Sequence, residues 1–352
     1  MQLIKNPSRE KTSPLLPRGV TLRRGTHRDE QETFDVMRKT MGFEMQWSYH
    51  VSMRQHLRSS PNSSFWVAEE SARPRQNRLV GYAHSVVRDK VWHLTEFFIL
   101  PEFQGKKVGG VLLEKCLQDG EEAGADTRFV LASQNAGADS LYIKKAGCYP
   151  RLPMLLMTGS LAHLRCPRDC FNSIYDSINK PLPTMLPTKT YEKPLLYAEP
   201  FVQTEEIEKA LMQLDREFLG FSRLPEHLHW MQTMGGKNGA SRIFRYTPNG
   251  DIVGYGYLGN HASGPFLAKD SSDLPRIVAH LATISQTRNR SFLDVLFAST
   301  PDVYLSITGT NEVALKWLLQ CGWRISYHYL FMSSRPLGKL ENYICHNPLY
   351  TI

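Results

Sequence analysis

The chain has 352 residues, of which 41% are hydrophobic and 22% are charged, with a net charge of +8. This length predicts two domains, and the composition is that of globular proteins, which excludes a disordered chain, a collagen and a coiled coil. There is no run of roughly 18 apolar residues and no Lys/Arg run interleaved with aromatic residues, so we expect neither a membrane nor a nucleic acid as partner.

The hydrophobic pattern of the first half predicts strands that alternate with helices. Strands are predicted over 20–24, 65–70, 79–87, 91–100, 127–132 and 153–158, and helices over 27–41, 45–58, 108–123 and 139–145. On the third helix, Val108, Leu112 and Cys116 form an apolar stripe with Leu113 and Leu117 beside it. This pattern predicts an α/β fold with a mixed sheet and helices on both faces.

An internal repeat divides the chain at about half its length. Val80-Gly81-Tyr82 recurs as Val253-Gly254-Tyr255, an offset of 173 residues. Asn135 with Ala138 recurs as Asn311 with Ala314, an offset of 176 residues, and each pair is followed by a Gly-containing turn. Two matches in the same order at nearly one offset predict two copies of one α/β module.

Three prolines between Pro181 and Pro187 prevent a regular helix there and predict an extended connector. We therefore predict five segments: an N-terminal arm over 1–18, a first domain over 19–165, a linker over 166–194, a second domain over 195–335 and a C-terminal tail over 336–352.

The segment from Thr95 to Leu113 predicts a strand, a short loop and a helix. The loop contains glycine and lysine, and the backbone N–H groups at the start of a helix have no partner within the helix. Such a helix start attracts a pyrophosphate, because its donors and its partial positive charge point outward. Gly109 and Gly110 would let a ligand approach the backbone closely.

This segment resembles the acyl-CoA loop of the GNAT acyltransferase superfamily. That loop has Arg or Gln, two further residues, Gly, one residue, and Gly or Ala; here Gln104, Lys107 and Gly109 occupy these positions. The departure is Lys107, which stands where the family usually has glycine. A later family signature is matched by Asn135, Ala138 and Tyr142, followed by Gly147-Cys148. The resemblance covers roughly residues 19–160 and implies tandem GNAT-like domains.

The resemblance also implies a role for each matched residue. The backbone of Phe98, Ile99 and Leu100 would pair with the pantetheine arm of acetyl-CoA, and Asn135 would contact the pantetheine region. Tyr142 would protonate the departing thiolate while an amine attacks the thioester directly. The pyrophosphate would be held by backbone N–H groups of the loop and helix start, namely Gln104, Gly105, Lys106, Lys107, Val108, Gly109 and Gly110.

Glu96 is the candidate for the base that takes the proton of the amine. Strict alternation along 91–100 places Glu96 on one face with Trp92, Leu94 and Phe98, and this face is otherwise apolar. A carboxylate on such a face is expected to have a raised pKa. Three alternatives remain: Glu96 lies on an exposed part of the strand, Glu96 pairs with an arginine, or His93 on the other face is the base. For Tyr142 the alternative is simple packing in a half-buried helix.

The second copy lacks the chemical residues of the first. No Gln-x-x-Gly-x-Gly pattern follows Gly264-Pro265, and Leu318 stands at the position of Tyr142. Because leucine cannot donate a proton, we expect the second copy to be degenerate and without a catalytic centre.

His163, Cys166 and Cys170 form a possible metal-binding fragment, but no clear fourth ligand accompanies them, so we predict no metal. Six cysteines in the chain and a start without the apolar core of a secretory signal predict a reducing, cytoplasmic location.

The sequence therefore predicts an N-acetyltransferase of the EC 2.3.1 type, with acetyl-CoA as co-substrate and a small-molecule or peptide amine as acceptor. Two alternatives stay open: transfer of a longer acyl group, and a non-catalytic CoA-binding or scaffold protein. We expect a monomer or a homodimer.

Overall fold

The computed structural model describes residues 16–42, 47–73, 78–164, 194–234, 240–259, 262–289 and 303–346. The chain divides into two compact units. The first unit contains the residues up to Arg151 together with Tyr329–Pro336. The second unit contains Leu152–His328 and Leu337–Tyr350. The predicted α/β fold with mixed-sheet topology is confirmed.

The helices and strands of the first half follow the predicted order. The strands are β1 (Val20–Arg24), β2 (Ser63–Glu70), β3 (Leu79–Arg88), β4 (Val91–Ile99), β5 (Thr127–Ala132) and β6 (Tyr149–Gly159). The helices are α1 (Glu30–Met41), α2 (Trp47–Ser59), α3 (Val108–Glu122) and α4 (Ala136–Leu141), and α4 continues as a π-helical turn over Tyr142–Ala146. The last predicted strand begins earlier than expected, at Tyr149.

The second half repeats this order. Its strands are β7 (Tyr197–Pro200), β8 (Ala240–Arg245), β9 (Ile252–Leu258), β10 (Ser263–Ala268), β11 (Val303–Thr308), β12 (Arg324–Ser333) and β13 (Tyr343–Cys345). Its helices are α5 (Glu205–Phe218), α6 (Leu224–Met234), α7 (Leu274–Asn289) and α8 (Glu312–Gln320). Tyr343–Cys345 lies in the predicted C-terminal tail, so that prediction is wrong for these residues, which form a strand.

The first unit contains the strands in the order β1-β2-β3-β4-β5-β12. Strands β1 to β4 are antiparallel, β4 and β5 are parallel, and Leu330–Ser333 of β12 pairs antiparallel with β5. Helix α3 buries its predicted stripe, since Val108, Leu112 and Cys116 are fully buried in the core of this unit.

The second unit contains the strands in the order β6-β11-β13-β10-β9-β8-β7. Every pair in this order is antiparallel. Strand β6 from the first half pairs with β11, over Met154–Gly159 and Val303–Thr308. Each unit is therefore completed by a strand from the other half of the chain, which the predicted consecutive domains do not contain.

Strand β12 belongs to the packing of the first unit although it lies about 200 residues after β5. The Phe331 ring is buried and its centre is 5.6 Å from that of Phe129 on β5. The Ser334 hydroxyl accepts a hydrogen bond from the Arg128 backbone N–H at 3.0 Å. Side chain and backbone contacts of this kind make β5 dependent on the second half of the chain.

Replacing Phe331 with alanine is expected to destabilise the first unit by about 3–5 kcal/mol, the usual cost of emptying a buried aromatic site. The measurement is hydrogen exchange of the β5 amides under native conditions. Tyr327→Ala on the same strand is the control; Tyr327 is 45% exposed, and a change of about 0.5 kcal/mol or less is expected. Unchanged β5 protection in Phe331→Ala would show that β12 does not support the first unit.

Candidate active site

The loop between β4 and α3 forms a cradle of backbone donors. Gln104 to Lys107 are exposed, and the first helical hydrogen bond runs from the Val111 N–H to the Lys107 carbonyl at 3.2 Å. The N–H groups of Val108, Gly109 and Gly110 precede this bond and have no acceptor within the helix. They therefore present donors and the positive end of the helix dipole at one place.

Lys107 adopts the left-handed conformation, with φ +66° and ψ −4°. Glycine takes this conformation without steric cost, whereas an L side chain pays roughly 1–2 kcal/mol. The backbone at Lys107 thus has the shape expected of the family's glycine, although the side chain differs. Its ammonium group adds positive charge beside the cradle.

Gly109 packs closely against β4. A Cβ atom added there would be 3.0 Å from the Phe97 ring, and one added at Gly110 would be 3.3 Å from the Lys145 Cε. The Lys145 ammonium group pairs with Glu114 of α3. A larger residue at Gly109 would therefore require the Phe97 ring to shift.

Strands β4 and β5 separate beside this loop. Their pairing covers only Val91–Leu94 and Thr127–Val130. At the point of separation the register of β3 and β4 shifts between Glu96 and Leu94, so Thr95 is the extra residue of a β-bulge. Beyond the bulge, one edge of β4 has no strand partner in the described part of the chain and is open to an extended ligand.

The backbone of this open edge differs in part from the prediction. The Leu100 N–H donates to the Val80 carbonyl at 2.9 Å, and the alternation of an antiparallel ladder directs the N–H and C=O of Phe98 to Tyr82. The backbone N–H and C=O of Ile99 therefore point to the open edge. The Ile99 carbonyl accepts a hydrogen bond from the Gln104 side-chain amide at 3.0 Å. The Ile99 carbonyl also accepts from the Thr40 hydroxyl at 3.4 Å. Of the three predicted residues, Ile99 therefore keeps its backbone N–H at the open edge, and pairing with pantetheine stays a prediction.

Tyr142 lies at the first turn after α4, next to the open edge of β4. Its ring is buried, 5.9 Å from the Phe97 ring centre. No described residue forms a hydrogen bond with its hydroxyl. Burial and the nearby Asp139 raise the pKa of Tyr142 above its ordinary value, so the phenol stays protonated at neutral pH, as a proton donor must.

Asn135 caps the start of α4. Its side-chain oxygen accepts a hydrogen bond from the Ala138 N–H at 3.0 Å, which satisfies one of the donors at the helix start. Asn311 caps α8 in the same way, through the Ala314 N–H at 3.1 Å. The Asn-x-x-Ala pattern shared by both copies is therefore explained by capping, and contact with pantetheine stays a prediction.

Glu96 is the centre of a buried ion-pair network. Its carboxylate accepts hydrogen bonds from the Arg54 Nε at 2.7 Å, the Arg58 guanidinium at 3.0 Å and the Tyr82 hydroxyl at 3.1 Å. The Arg54 and Glu96 side chains are almost fully buried. Glu30 on α1 completes the network by pairing with both arginines.

The predicted raised pKa of Glu96 is wrong. Burial by itself raises the pKa of Glu96, but Arg54 and Arg58 outweigh burial and lower it to about 2. The alternative that Glu96 pairs with an arginine is what the structure contains. A carboxylate with so low a pKa is a weak proton acceptor, so its predicted catalytic role loses its main argument.

The predicted face of Glu96 is also wrong, because of the bulge at Thr95. The Trp92 indole donates to the Cys116 carbonyl on α3, whereas Glu96 contacts α2. The extra residue reverses the alternation between them, so Trp92 and Glu96 lie on opposite faces of β4. His93, the weaker candidate base, stacks on Phe129, with the two ring centres 4.1 Å apart.

Four side chains of this network were not predicted from the sequence: Glu30, Arg54, Arg58 and Tyr82. One signal could have found Tyr82, since it is the tyrosine of the repeated Val-Gly-Tyr triplet. In the second unit, Tyr255 donates a 2.6 Å hydrogen bond to Asp215, which is paired with Arg223. Both tyrosines thus bind a buried carboxylate–arginine pair.

In the described part of the second unit, two aspartates stand at the corresponding helix start. Asp270 accepts a hydrogen bond from the Ser272 N–H ahead of α7, and Asp273 pairs with Arg276. Carboxylates at this helix start would repel a phosphate. Leu318, at the position of Tyr142, is fully buried in the apolar core.

Strand β13 fills the gap that is open in the first unit. It pairs with β10 through Phe266–Leu267 and Tyr343–Ile344, and with β11 through Ser306–Ile307 and Ile344–Cys345. These are the strands that correspond to β4 and β5. The chain's own backbone therefore occupies the position where the first unit could bind an extended ligand.

No helix in the described part of the chain is long and apolar enough to cross a membrane. Among the described residues, no three His, Cys, Asp or Glu side chains come together in a way that could hold a metal ion. Cys166 and Cys170 of the possible metal fragment lie outside the described residues.

Residues 29–148 match the family described as the acetyltransferase (GNAT) family. This part of the chain, which contains the cradle, the open edge of β4 and Tyr142, belongs to that family. No curated protein sequence matches the chain.

Solved structures resemble the chain over most of its length. A proposed acetyltransferase from Pyrococcus horikoshii has a TM-score of 0.64 at 13% identity and covers 95% of this chain and 96% of its own. A GCN5-related N-acetyltransferase from Sphaerobacter thermophilus has 0.55 at 14%, covering 93% and 99%. A tandem GNAT protein from the clavulanic acid biosynthesis pathway has 0.51 at 10%, covering 90% and 99%. At these identities the likeness shows the fold alone.

Proposed function

We propose that the first unit transfers the acetyl group of acetyl-CoA to a primary amine by direct attack of the amine on the thioester. The observation that carries the proposal is the donor cradle of Val108, Gly109 and Gly110 beside the open edge of β4, with a protonated tyrosine at the same edge. The cradle suits a pyrophosphate, the edge suits an extended amide-containing arm, and Tyr142 suits the leaving thiolate.

The acceptor is proposed as a small-molecule or peptide amine. The protein is proposed to act in the cytoplasm as a monomer or homodimer. None of the described cysteines, Cys116, Cys148, Cys321 and Cys345, forms a disulfide, which supports a reducing compartment.

The test combines binding and turnover. Calorimetric titration with acetyl-CoA and with octanoyl-CoA compares acyl chain lengths, and release of the CoA thiol is followed with spermidine, glucosamine, free lysine and a peptide with a free N-terminus. Acetyl-CoA binding with amine-dependent thiol release supports the proposal. Tighter binding and faster turnover of octanoyl-CoA supports the longer-chain alternative, and binding without transfer supports a CoA-binding scaffold.

The titration is expected to give one acetyl-CoA site per chain, because β13 and two aspartates occupy the corresponding region of the second unit. Gly109→Glu is expected to abolish binding, since it places a side chain and a negative charge in the cradle. Gln118→Glu adds the same charge to an exposed position of α3 and should leave affinity within about twofold, because helix-dipole and charge effects are small away from the first turn. Two equivalent sites per chain would contradict the assignment.

A further inference from the structure

Asp139 carries a carboxylate near Tyr142 that is not part of the ion-pair network around Glu96. Asp139 lies in α4, partly exposed, and its Oδ1 atom is buried without a hydrogen-bond donor among the described residues. A buried carboxylate oxygen without a donor costs free energy. Such an oxygen takes its missing donor from an ordered water, a bound ligand or a reacting group.

The helical spacing brings Asp139 to the face of α4 that carries Asn135 and Tyr142. Residues three and four apart on a helix lie one above the other, with Cβ atoms about 5–6 Å apart. Asp139 is three residues before Tyr142 and four after Asn135, and its charge is close enough to raise the pKa of Tyr142. This is the face next to the open edge of β4.

The second copy shows that helix packing does not require an acid here. The shared Asn caps align Asp139 with Leu315 and Tyr142 with Leu318. Both leucines pack into the apolar core of the second unit. The copy whose gap is filled by β13 thus has two leucines where the copy with the open edge has an aspartate and a tyrosine.

The two carboxylates of the first unit differ in their surroundings. Glu96 is held between two arginines, which keep it ionised, and it is sealed from solvent. Burial raises the pKa of Asp139, and no described charged side chain offsets this effect. Tyr142 is the titratable group that interacts with it. Of the two, Asp139 is the better proton acceptor at neutral pH.

We propose, on the basis of the function proposed above, that Asp139 is a catalytic residue that binds the ammonium group of the acceptor and takes one of its protons. The neutral amine nitrogen then forms a bond to the thioester carbon and the carbon–sulfur bond breaks. The Tyr142 hydroxyl proton goes to the sulfur, and the second proton that leaves the nitrogen restores Tyr142, directly or through a water. Asp139, which is partly exposed, releases the first proton to solvent before the next turnover.

Asp139 and Tyr142 are close enough to each other to act on the same tetrahedral intermediate. In the tetrahedral intermediate the nitrogen and the sulfur are bonded to the same carbon, so their two proton partners must lie within a few ångströms of each other. Side chains one helical turn apart meet this requirement, directly or with one bridging water. Because the Asp139 carboxylate binds an ammonium group, the acceptor class is an amine that arrives as a cation.

The experiment compares Asp139→Asn with Asp139→Leu and with Asp126→Asn, an exposed aspartate of the first unit that serves as the control. Asp139→Asn is expected to lower kcat/KM for the amine about 10²- to 10⁴-fold at pH 7, with acetyl-CoA affinity within about twofold and partial recovery at high pH. Asp139→Leu should fold, since Leu315 fills the same position in the second unit, and should be equally inactive. Wild-type activity with an unchanged pH profile in Asp139→Asn overturns the proposal.

A second measurement needs no acceptor. Carboxyl ¹³C NMR of protein labelled at aspartate, assigned by the loss of one signal in Asp139→Asn, follows the titration of this side chain with and without acetyl-CoA. A midpoint above that of ordinary aspartates, moved further by acetyl-CoA, supports the proposal, and an ordinary midpoint that acetyl-CoA leaves unchanged overturns it. If wild-type protein binds no acetyl-CoA, the proposed function fails, and the Asp139 proposal fails with it; if wild type is active and Asp139→Asn equally so, only the Asp139 proposal fails.

Discussion

Replacing Tyr142 with phenylalanine is expected to lower kcat by about 10²- to 10⁴-fold, the usual range for the loss of a general acid. The phenylalanine ring keeps the contact with Phe97, so folding and the affinity for acetyl-CoA should change little. What is lost is the proton for the leaving thiolate. The measurement is single-turnover acetyl transfer from bound acetyl-CoA, so that product release does not mask the chemical step.

Tyr149→Phe is the matched control, because Tyr149 is 51% exposed and the same atom is removed. It should retain wild-type turnover. Equal single-turnover rates for wild type and Tyr142→Phe would remove Tyr142 from the mechanism and leave its role as packing, the alternative that the sequence permits.

Replacing Glu96 with glutamine is expected to destabilise the first unit by about 3–5 kcal/mol, because Glu30 is then the one carboxylate left in the network to balance two buried arginines. Hydrogen exchange of the β4 amides reports this unit separately from the second. Glu102→Gln removes an ion pair in which Glu102 is 53% exposed, and a loss of about 1 kcal/mol or less is expected there.

The stability that Glu96 supplies has a defined pH dependence. Its folded pKa is lowered from 4.5 to about 2, so the ionised form is favoured by folding. This contribution is fully present above pH 4.5 and is lost as the pH falls towards 2. Wild type should therefore lose more stability than Glu96→Gln over this range.

The same variant tests the original catalytic prediction for Glu96. If Glu96 only stabilises the fold, Glu96→Gln should keep the wild-type pH profile of kcat/KM in the fraction of protein that remains folded. A loss of about 10²- to 10⁴-fold with recovery at high pH and no loss of stability would instead restore Glu96 as the base.

The parts of the site that depend on neighbouring residues were predictable from the sequence. The strand, loop and helix from Thr95 to Leu113 form as predicted, because an apolar strand, a glycine-containing turn and a 3.6-residue stripe each specify local structure. Termination of α4 at Gly147 is likewise local. Capping by Asn135 is local too, but it was not predicted, because the predicted helix began at residue 139 and α4 begins at Ala136.

The partners of Glu96 could not be predicted in the same way. Arg54 lies 42 residues away from Glu96 in the sequence. The alternation of apolar and polar residues along β4 does not indicate that Arg54 contacts this strand. The bulge at Thr95 is also invisible to an alternation rule, which assumes that each residue reverses the side-chain direction.

The sequence by itself determined the α/β class, the repeat, the donor loop and the position of Tyr142, since these follow from spacing within short segments. The tertiary structure alone decided which gaps between strands stay open. In the first unit β4 and β5 diverge, and in the second β13 fills the corresponding gap. It also decided that Glu96 is neutralised by arginines while Asp139 is not. The physical reason is that strand pairing and charge pairing join residues distant in the chain, and their energies depend on burial and distance that no local pattern contains.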